Sequence, residues 1–269
     1  MRILGGLPQG SATGFDNAEL FFSLVLGLFS ISPALAYYSR LSHHAAKEPK
    51  SFAPTLLSGL RFIGIMTIPA GLLLNLLAKP VVEIVFNWFT LLGRHGAADA
   101  VINASVAALT PLGLAIFPVG LNNLFVRTFY IRKQVKLLIT IILLTLSLQA
   151  FLYFVLSAVW GIAGLSWATV AVSWLQFFAL SWLVHQREQY DIKSLLSFAI
   201  RAFSAAFLAF AISYLLLQAL VFSSNWTGYL LTAIVGGLSF LFAYGFLARI
   251  FKIEEISALL AMARRRFGS

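Results

Sequence analysis

Cysteine is absent from the 269 residues. That excludes a disulfide framework, thiolate metal sites and a thiol nucleophile, and it leaves the redox compartment undetermined. Charge is also scarce. Asp, Glu, Lys and Arg together make up 10% of the chain, against roughly 25% in a soluble domain. The nine acidic residues are scattered, and the four histidines (His43, His44, His95 and His185) form no HExxH pattern. GLRFIG at 59–64 has glycine spacing but no following Lys-Ser/Thr, so ATP hydrolysis is not expected, and GxSxG is missing too. An enzyme embedded in a membrane needs acidic or histidine clusters near the interface. None is visible, so the sequence predicts neither catalysis nor a cofactor.

What the chain has in excess is apolar surface. Hydrophobic residues reach 60% and mean hydropathy is +0.91. A chain of this length with that composition could not cover its exterior with polar groups, so lipid is the expected solvent. A membrane helix needs about 20 mostly apolar residues to satisfy its own backbone across roughly 30 Å of hydrocarbon. Seven segments qualify, at 18–38, 53–78, 100–124, 137–158, 162–184, 196–221 and 228–250. The predicted fold class is therefore all-α integral membrane. The interval from Lys79 to Asp99 is too short and interrupted to span. Its Trp88 suits the headgroup level, so it reads as an extension of the second helix or a short interfacial helix. No barrel-like alternation of ten-residue strands occurs.

Positive charge dominates the little charge present, with 19 Lys and Arg against nine Asp and Glu and a pI near 10.2. Its placement alternates. One side receives Arg40, Lys47 and Lys50, then Arg127, Arg132, Lys133 and Lys136. The same side receives Arg187, Lys193 and Arg201, then Arg249, Lys252 and Arg264 to Arg266. The other side has only Arg2, Lys79 and Arg94. By the positive-inside rule the basic side is cytoplasmic, which puts the N-terminus outside and the C-terminus inside. Such charge faces anionic membrane lipids and requires no nucleic acid. The tail ARRRF at 263–267 reads as an orientation anchor. The organisation expected is a polar segment over 1–17, a five-helix bundle over 18–184, a helix pair over 185–250 and a basic tail over 251–269. Residues 1–17 lack the basic-then-apolar order of a signal peptide. An outside start with an odd number of spans also resembles a chain whose earlier spans are missing.

Polar groups inside the spans are the better functional clue, because lipid penalises them. Glu19 opens the first segment, where capping is the ordinary use and lining an ion or substrate path the alternative. Arg61 and Arg201 lie within the second and sixth segments near their basic ends, where snorkelling is the ordinary reading. Asn75, Gln149, Gln176 and Gln218 suit hydrogen bonds between helices. Pro33, Pro69, Pro111 and Pro118 introduce kinks, which are frequent in bundles that rock between two states.

Five stretches in order resemble the MurJ/MviN lipid II flippase family. LPQGSATGFDNAELFF at 7–22 is similar to a family segment reading approximately LPEGSVSALNYADRL. YYSRLSHHA at 37–45 stands where the family has P-x-L-S and a basic loop. SGLRFIGIMTIPAGLLLNLLAKPVVEIVF at 58–86 resembles GLR…LP…L…P…LF. RTFYIRKQVK at 127–136 resembles R-x-FYAR-x-DTKTPVK, and WGIAGLSWATVAVSW at 160–174 resembles a G-x-x-GLALA span start. The likeness extends from about residue 4 to 266.

The family belongs to the multidrug/oligosaccharidyl-lipid/polysaccharide exporter superfamily, whose members have two pseudo-symmetric six-helix lobes, often with two further helices. The resemblance implies a chain equivalent to the C-terminal lobe plus the terminal pair. It implies transport of a lipid-linked peptidoglycan precursor across the bacterial cytoplasmic membrane by alternating access, driven by an ion gradient or membrane potential. It also implies a separate N-terminal-half subunit as partner. Substrate-path candidates are Glu19, Arg61, Arg127, Tyr130 and Arg132. Arg is the residue suited to phosphate oxygens, yet Leu20 stands where the family motif places one. Arg127, Phe129, Tyr130 and Arg132 match the loop motif, while its Asp and Thr-Pro are missing. The alternatives are a polysaccharide-repeat or drug exporter of the same superfamily, and a non-transporting remnant or accessory subunit.

Overall fold

The structure is a computed structural model describing residues 10–91, 99–220, 222–223, 225–253 and 255. Arg2, Arg94, His95, the tail arginines Arg264 to Arg266 and most of the 1–17 and 251–269 segments lie outside the described residues. Among those described, the regular structure is helical throughout. The helices are α1 (Ser11–Leu26), α2 (Ser32–Lys47), α3 (Phe52–Leu76), α4 (Ala78–Leu91) and α5 (Asp99–Leu112). They continue as α6 (Ile116–Ile131), α7 (Val135–Trp160), α8 (Ile162–Glu188), α9 (Ile192–Ala219) and α10 (Trp226–Ile250). Seven helical stretches among the described residues are long and apolar enough to cross a membrane, because α1 with α2 and α5 with α6 each form one span.

The first span begins seven residues before the expected start and runs over Ser11–Lys47, 37 residues. At 1.5 Å per residue that is about 55 Å, well beyond the hydrocarbon thickness. Hydropathy misses its first turns because they are held by close approach and not by apolar bulk. A Cβ on Gly14 would lie 2.5 Å from Ala104 Cβ and 2.9 Å from Ser105 N, so α1 and α5 cross with their backbones nearly touching. Between α1 and α2 the helix widens over Gly27–Ile31 into a π-turn, with Ser32 N–H bonding Gly27 O. Pro33 follows directly and removes one backbone donor, a local cause for the wider turn. Ser30, fully buried there, donates to Gly120 O at 3.1 Å and accepts from Asn123 Nδ2 at 2.9 Å. These bonds tie the first span to the third.

The third span breaks at Gly113–Ala115, a single 3₁₀ turn between Pro111 and Pro118. Asn75 Nδ2 donates to Thr110 O at 2.8 Å beside that break, supplying a donor where the helix ladder is interrupted. Gly71 of α3 and Gly113 meet here. A Cβ on either would reach the other's carbonyl oxygen, at 2.4 and 2.6 Å.

α3 is the hub of the bundle. Its buried Phe52, Leu56, Leu60 and Ile63 share one core cluster with Leu124 and Phe125 of α6, Leu180 of α8 and Ala202 of α9. A second cluster joins Phe15 and Ala18 of α1 to Ala108 and Leu109 of α5. The helix α4, separated from α3 by a bend at Leu77, packs against α10 and α5. Trp226 Nε1 donates to Ile84 O at 3.2 Å, and its ring lies 5.6 Å from that of Trp88.

The connections sort into two ends, as the charge alternation requires. At one end the Arg132 guanidinium stands 4.0 Å over the Phe52 ring and pairs with Glu188. Arg61 there meets both Ser194 and Glu255. Segments after the first, third, fifth and seventh spans therefore converge at one basic end. The opposite end carries Trp88, Trp226 and Tyr229, with Lys79 Nζ 5.9 Å from the Tyr229 ring centroid.

Candidate functional site

Glu19 sits two turns inside α1, so it does not cap that helix; the true start at Ser11 removes the possibility. It is exposed, as is Asp16 one turn earlier. Beside it, one turn earlier on α1, Phe15 meets Tyr153 edge-on at 6.4 Å. Gln149 Nε2 donates to Tyr153 Oη at 2.8 Å, and Tyr153 Oη and Thr169 Oγ1 are 2.9 Å apart. Glu19 thus adjoins a half-buried polar triad at the α7–α8 contact. Further along the first span large apolar side chains are exposed as well. Leu20, Leu24, Leu28, Ile31, Leu35 and Tyr38 recur at helical spacing, with Leu20 65% and Leu28 69% exposed.

The other candidates occupy the basic end and separate into different surroundings. Arg127 lies on α6 with its guanidinium 5.9 Å from the Tyr38 ring centroid. Among the described residues its Nε is buried without a hydrogen-bond partner. Tyr130, one turn on, is half exposed. Arg132 is engaged differently. Its Nε donates to Glu188 Oε1 at 2.6 Å, and its guanidinium carbon lies 4.0 Å from the Phe52 ring centroid. A fork held by a carboxylate and an aromatic face fixes three connections more readily than it takes a ligand.

Arg61 belongs to another cluster. It hydrogen-bonds Ser194 and pairs with Glu255, Nη1 to Oε1 3.4 Å, beside Arg201 and Lys252. The sequence foreshadowed only half of this: Arg61 and Arg201 were both near basic ends of their spans, but nothing local indicated that they share a wall. The partnership of Arg132 with Glu188, 56 residues away, likewise had no local signal.

Two apolar cavities open at the helix faces. One, about 370 Å³, lies between the first, second and seventh spans and includes Val25, Phe29, Met66, Pro69 and Leu241. The other, about 500 Å³, is aromatic and lies between α6, α8 and α9, with Phe117, Trp174 and Phe203 among its walls. No group of three or more metal-ligating side chains occurs among the described residues.

The bundle resembles a solved structure described as lipid II flippase MurJ in an inward closed conformation. The TM-score is 0.67 at 20% identity, covering 93% of this chain and 50% of that one. A probable lipid II flippase MurJ of Buchnera aphidicola subsp. Schizaphis graminum is 25% identical over 221 residues, 82% of this chain and 41% of the relative. A probable lipid II flippase MurJ of Bdellovibrio bacteriovorus is 26% identical over 166 residues, 61% of this chain and 31% of the relative. The chain thus spans less than half the length of these relatives. The family model for lipid II flippase MurJ matches residues 3–236, taking in α1 through α9 and the first part of α10. With seven membrane helices and that match along most of its length, this chain belongs to the MurJ lipid II flippase family.

Proposed function

We propose that this chain acts as the C-terminal lobe and terminal helix pair of a flippase for a lipid-linked peptidoglycan precursor of the lipid II class. It works with an N-terminal half in the bacterial cytoplasmic membrane, with residue 10 on the outer side and the basic end in the cytoplasm. The observation that supports this most is the uncovered face of the first span. Asp16 and Glu19 stand there beside the Gln149–Tyr153–Thr169 cluster, above a stripe of exposed leucines. Carboxylates cost too much against lipid tails to be a purely lipid-facing surface, whereas a second lobe would enclose them in a hydrated cavity. In this reading α9 and α10 are the terminal pair, and the cavity bordered by Val25, Phe29, Met66 and Leu241 takes the apolar chain. Arg127 and Tyr130 lie at the inner mouth, where a guanidinium whose Nε has no partner among the described residues suits an anionic headgroup. Anionic lipids contact the basic end.

One observation favours a second reading, an accessory subunit that assembles without transporting. Leu20 is 65% exposed on the face where the family motif has a cation. The test is outer-leaflet lipid II in cells depleted of their own flippase and expressing this chain with an N-terminal half. Translocation is expected, and Glu19→Gln or Arg127→Gln should reduce it. Stable assembly of the halves with no translocation would leave the accessory reading standing.

A further inference from the structure

At the basic end, α3, α9 and the turn after α10 enclose a polar cavity of about 130 Å³. Its walls are Arg61, Phe198, Arg201, Lys252, Ile253 and Glu255. Among the described residues three cations therefore face one carboxylate. Arg61 spends one nitrogen on Glu255 and one on Ser194, and among the described residues its buried Nε has no partner. Among the described residues Arg201 bonds within its own helix turn, Nε to Ser197 O at 3.2 Å and Nη2 to Ser197 Oγ at 2.9 Å. Lys252 enters no ion pair among the described residues.

The backbone fixes Lys252 in place. The end of α10 closes in a Schellman motif, with Ile253 N–H bonding Ala248 O at 3.0 Å and Lys252 N–H bonding Arg249 O at 3.1 Å. That motif puts Lys252 at φ 52°, where glycine is the usual residue. Ile253 is buried and anchors the turn. The cation is thus carried by a closed turn and not by a free tail.

We propose that Arg61, Arg201 and Lys252 form a binding site for a phosphate-bearing anion, entered from the basic end of the bundle. Two guanidiniums offer forked donors and the ammonium a point charge, the combination that matches tetrahedral phosphate oxygens. Among the described residues Glu255 offsets one of three positive charges, so the site keeps an excess of two and the carboxylate competes with the ligand. The exposed apolar Leu196 and Ile200 lie on the same helix as Arg201, at the level where a lipid headgroup phosphate meets its chains. The same chemistry would accept soluble phosphate. This site does not depend on the transport reading.

The test uses the full chain in nanodiscs, with phosphatidylglycerol or phosphatidylcholine retention read by native mass spectrometry. Thermal unfolding with and without inorganic phosphate is measured in parallel. Retention of phosphatidylglycerol over phosphatidylcholine is expected, falling about tenfold in Arg201→Gln/Lys252→Gln with the loss of two charge-assisted contacts. Glu255→Gln should raise retention, and Arg187→Gln, an exposed cation at the same end, should leave it unchanged. Thermal stabilisation by inorganic phosphate that disappears in the double variant, without lipid selectivity, would assign the site to a soluble phosphate. If the double variant folds and matches the parent in both measurements, or if Arg187→Gln lowers retention equally, the site does not exist.

Discussion

Arg132 and Glu188 join the turn after the third span to the end of the fifth, Nε to Oε1 at 2.6 Å, with the guanidinium lying over Phe52 at the start of the second. One ion pair thereby locks three connections. Both side chains are largely withdrawn from solvent, at 29% and 11% exposure.

Removing one partner leaves the other charge half-buried and unpaired. Arg132→Ala and Glu188→Ala should each lower stability by about 1–3 kcal/mol. The double variant should cost less than the two single effects added together. A double-mutant cycle by thermal unfolding in detergent measures this; strict additivity would show that the pair is not coupled.

Glycine spacing at the crossings gives a sharper contrast. Gly71→Ala brings a methyl against the Gly113 carbonyl oxygen, backbone that cannot rotate away. The expected cost is about 1–3 kcal/mol. Gly245→Ala and Gly27→Ala, with open space around the added carbon, should be neutral or stabilise by up to about 1 kcal/mol through helix propensity. Equal unfolding temperatures for Gly71→Ala and Gly245→Ala would contradict the close crossing.

Tyr190, between α8 and α9, is 2% exposed, with its hydroxyl 2.7 Å from Ser181 Oγ. Burial is the larger influence and pushes its phenol above the ordinary value of 10.0, against the opposing Ser181 hydrogen bond. The folded state therefore holds its proton to higher pH than the unfolded chain. Stability from this group is fully present below pH 10 and declines as pH rises through the folded pKa. Tyr190→Phe should flatten that alkaline decline. An unchanged slope in unfolding measured from pH 9 upward would assign the decline to other groups.

Much of this architecture was legible in the chain. The seven apolar segments and the alternation of Lys and Arg follow from lipid solvation, which acts residue by residue along the sequence. Boundaries failed where tertiary contact replaced hydropathy, as at Ser11 to Gly14, which stay helical because α5 lies against them. The π-turn at Gly27–Ile31 was hidden for a related reason, since Pro33 flags a kink but not its form. The site divided similarly. Arg61, Arg127 and Arg132 were visible as cations near span ends. Their partners, Glu255, Tyr38 and Glu188, come from distant segments, and only packing shows that Arg132 is engaged while Arg127 Nε has no hydrogen-bond partner among the described residues.

The absence of native cysteine makes sidedness directly testable. Gln134→Cys and Asn225→Cys flank opposite ends of the bundle, and a membrane-impermeant maleimide should label position 225 from outside and position 134 only after permeabilisation. Labelling of both from one side would overturn the orientation proposed from the basic connections.

The central claim is that these residues supply one lobe, whose Glu19 face needs a second lobe to form a transport cavity. The most direct measurement is outer-leaflet lipid II in cells depleted of their own flippase, comparing this chain alone with the chain plus an N-terminal half. No translocation by the chain alone and recovery with the added half are predicted. Translocation and growth restored by the 269 residues alone would contradict the account.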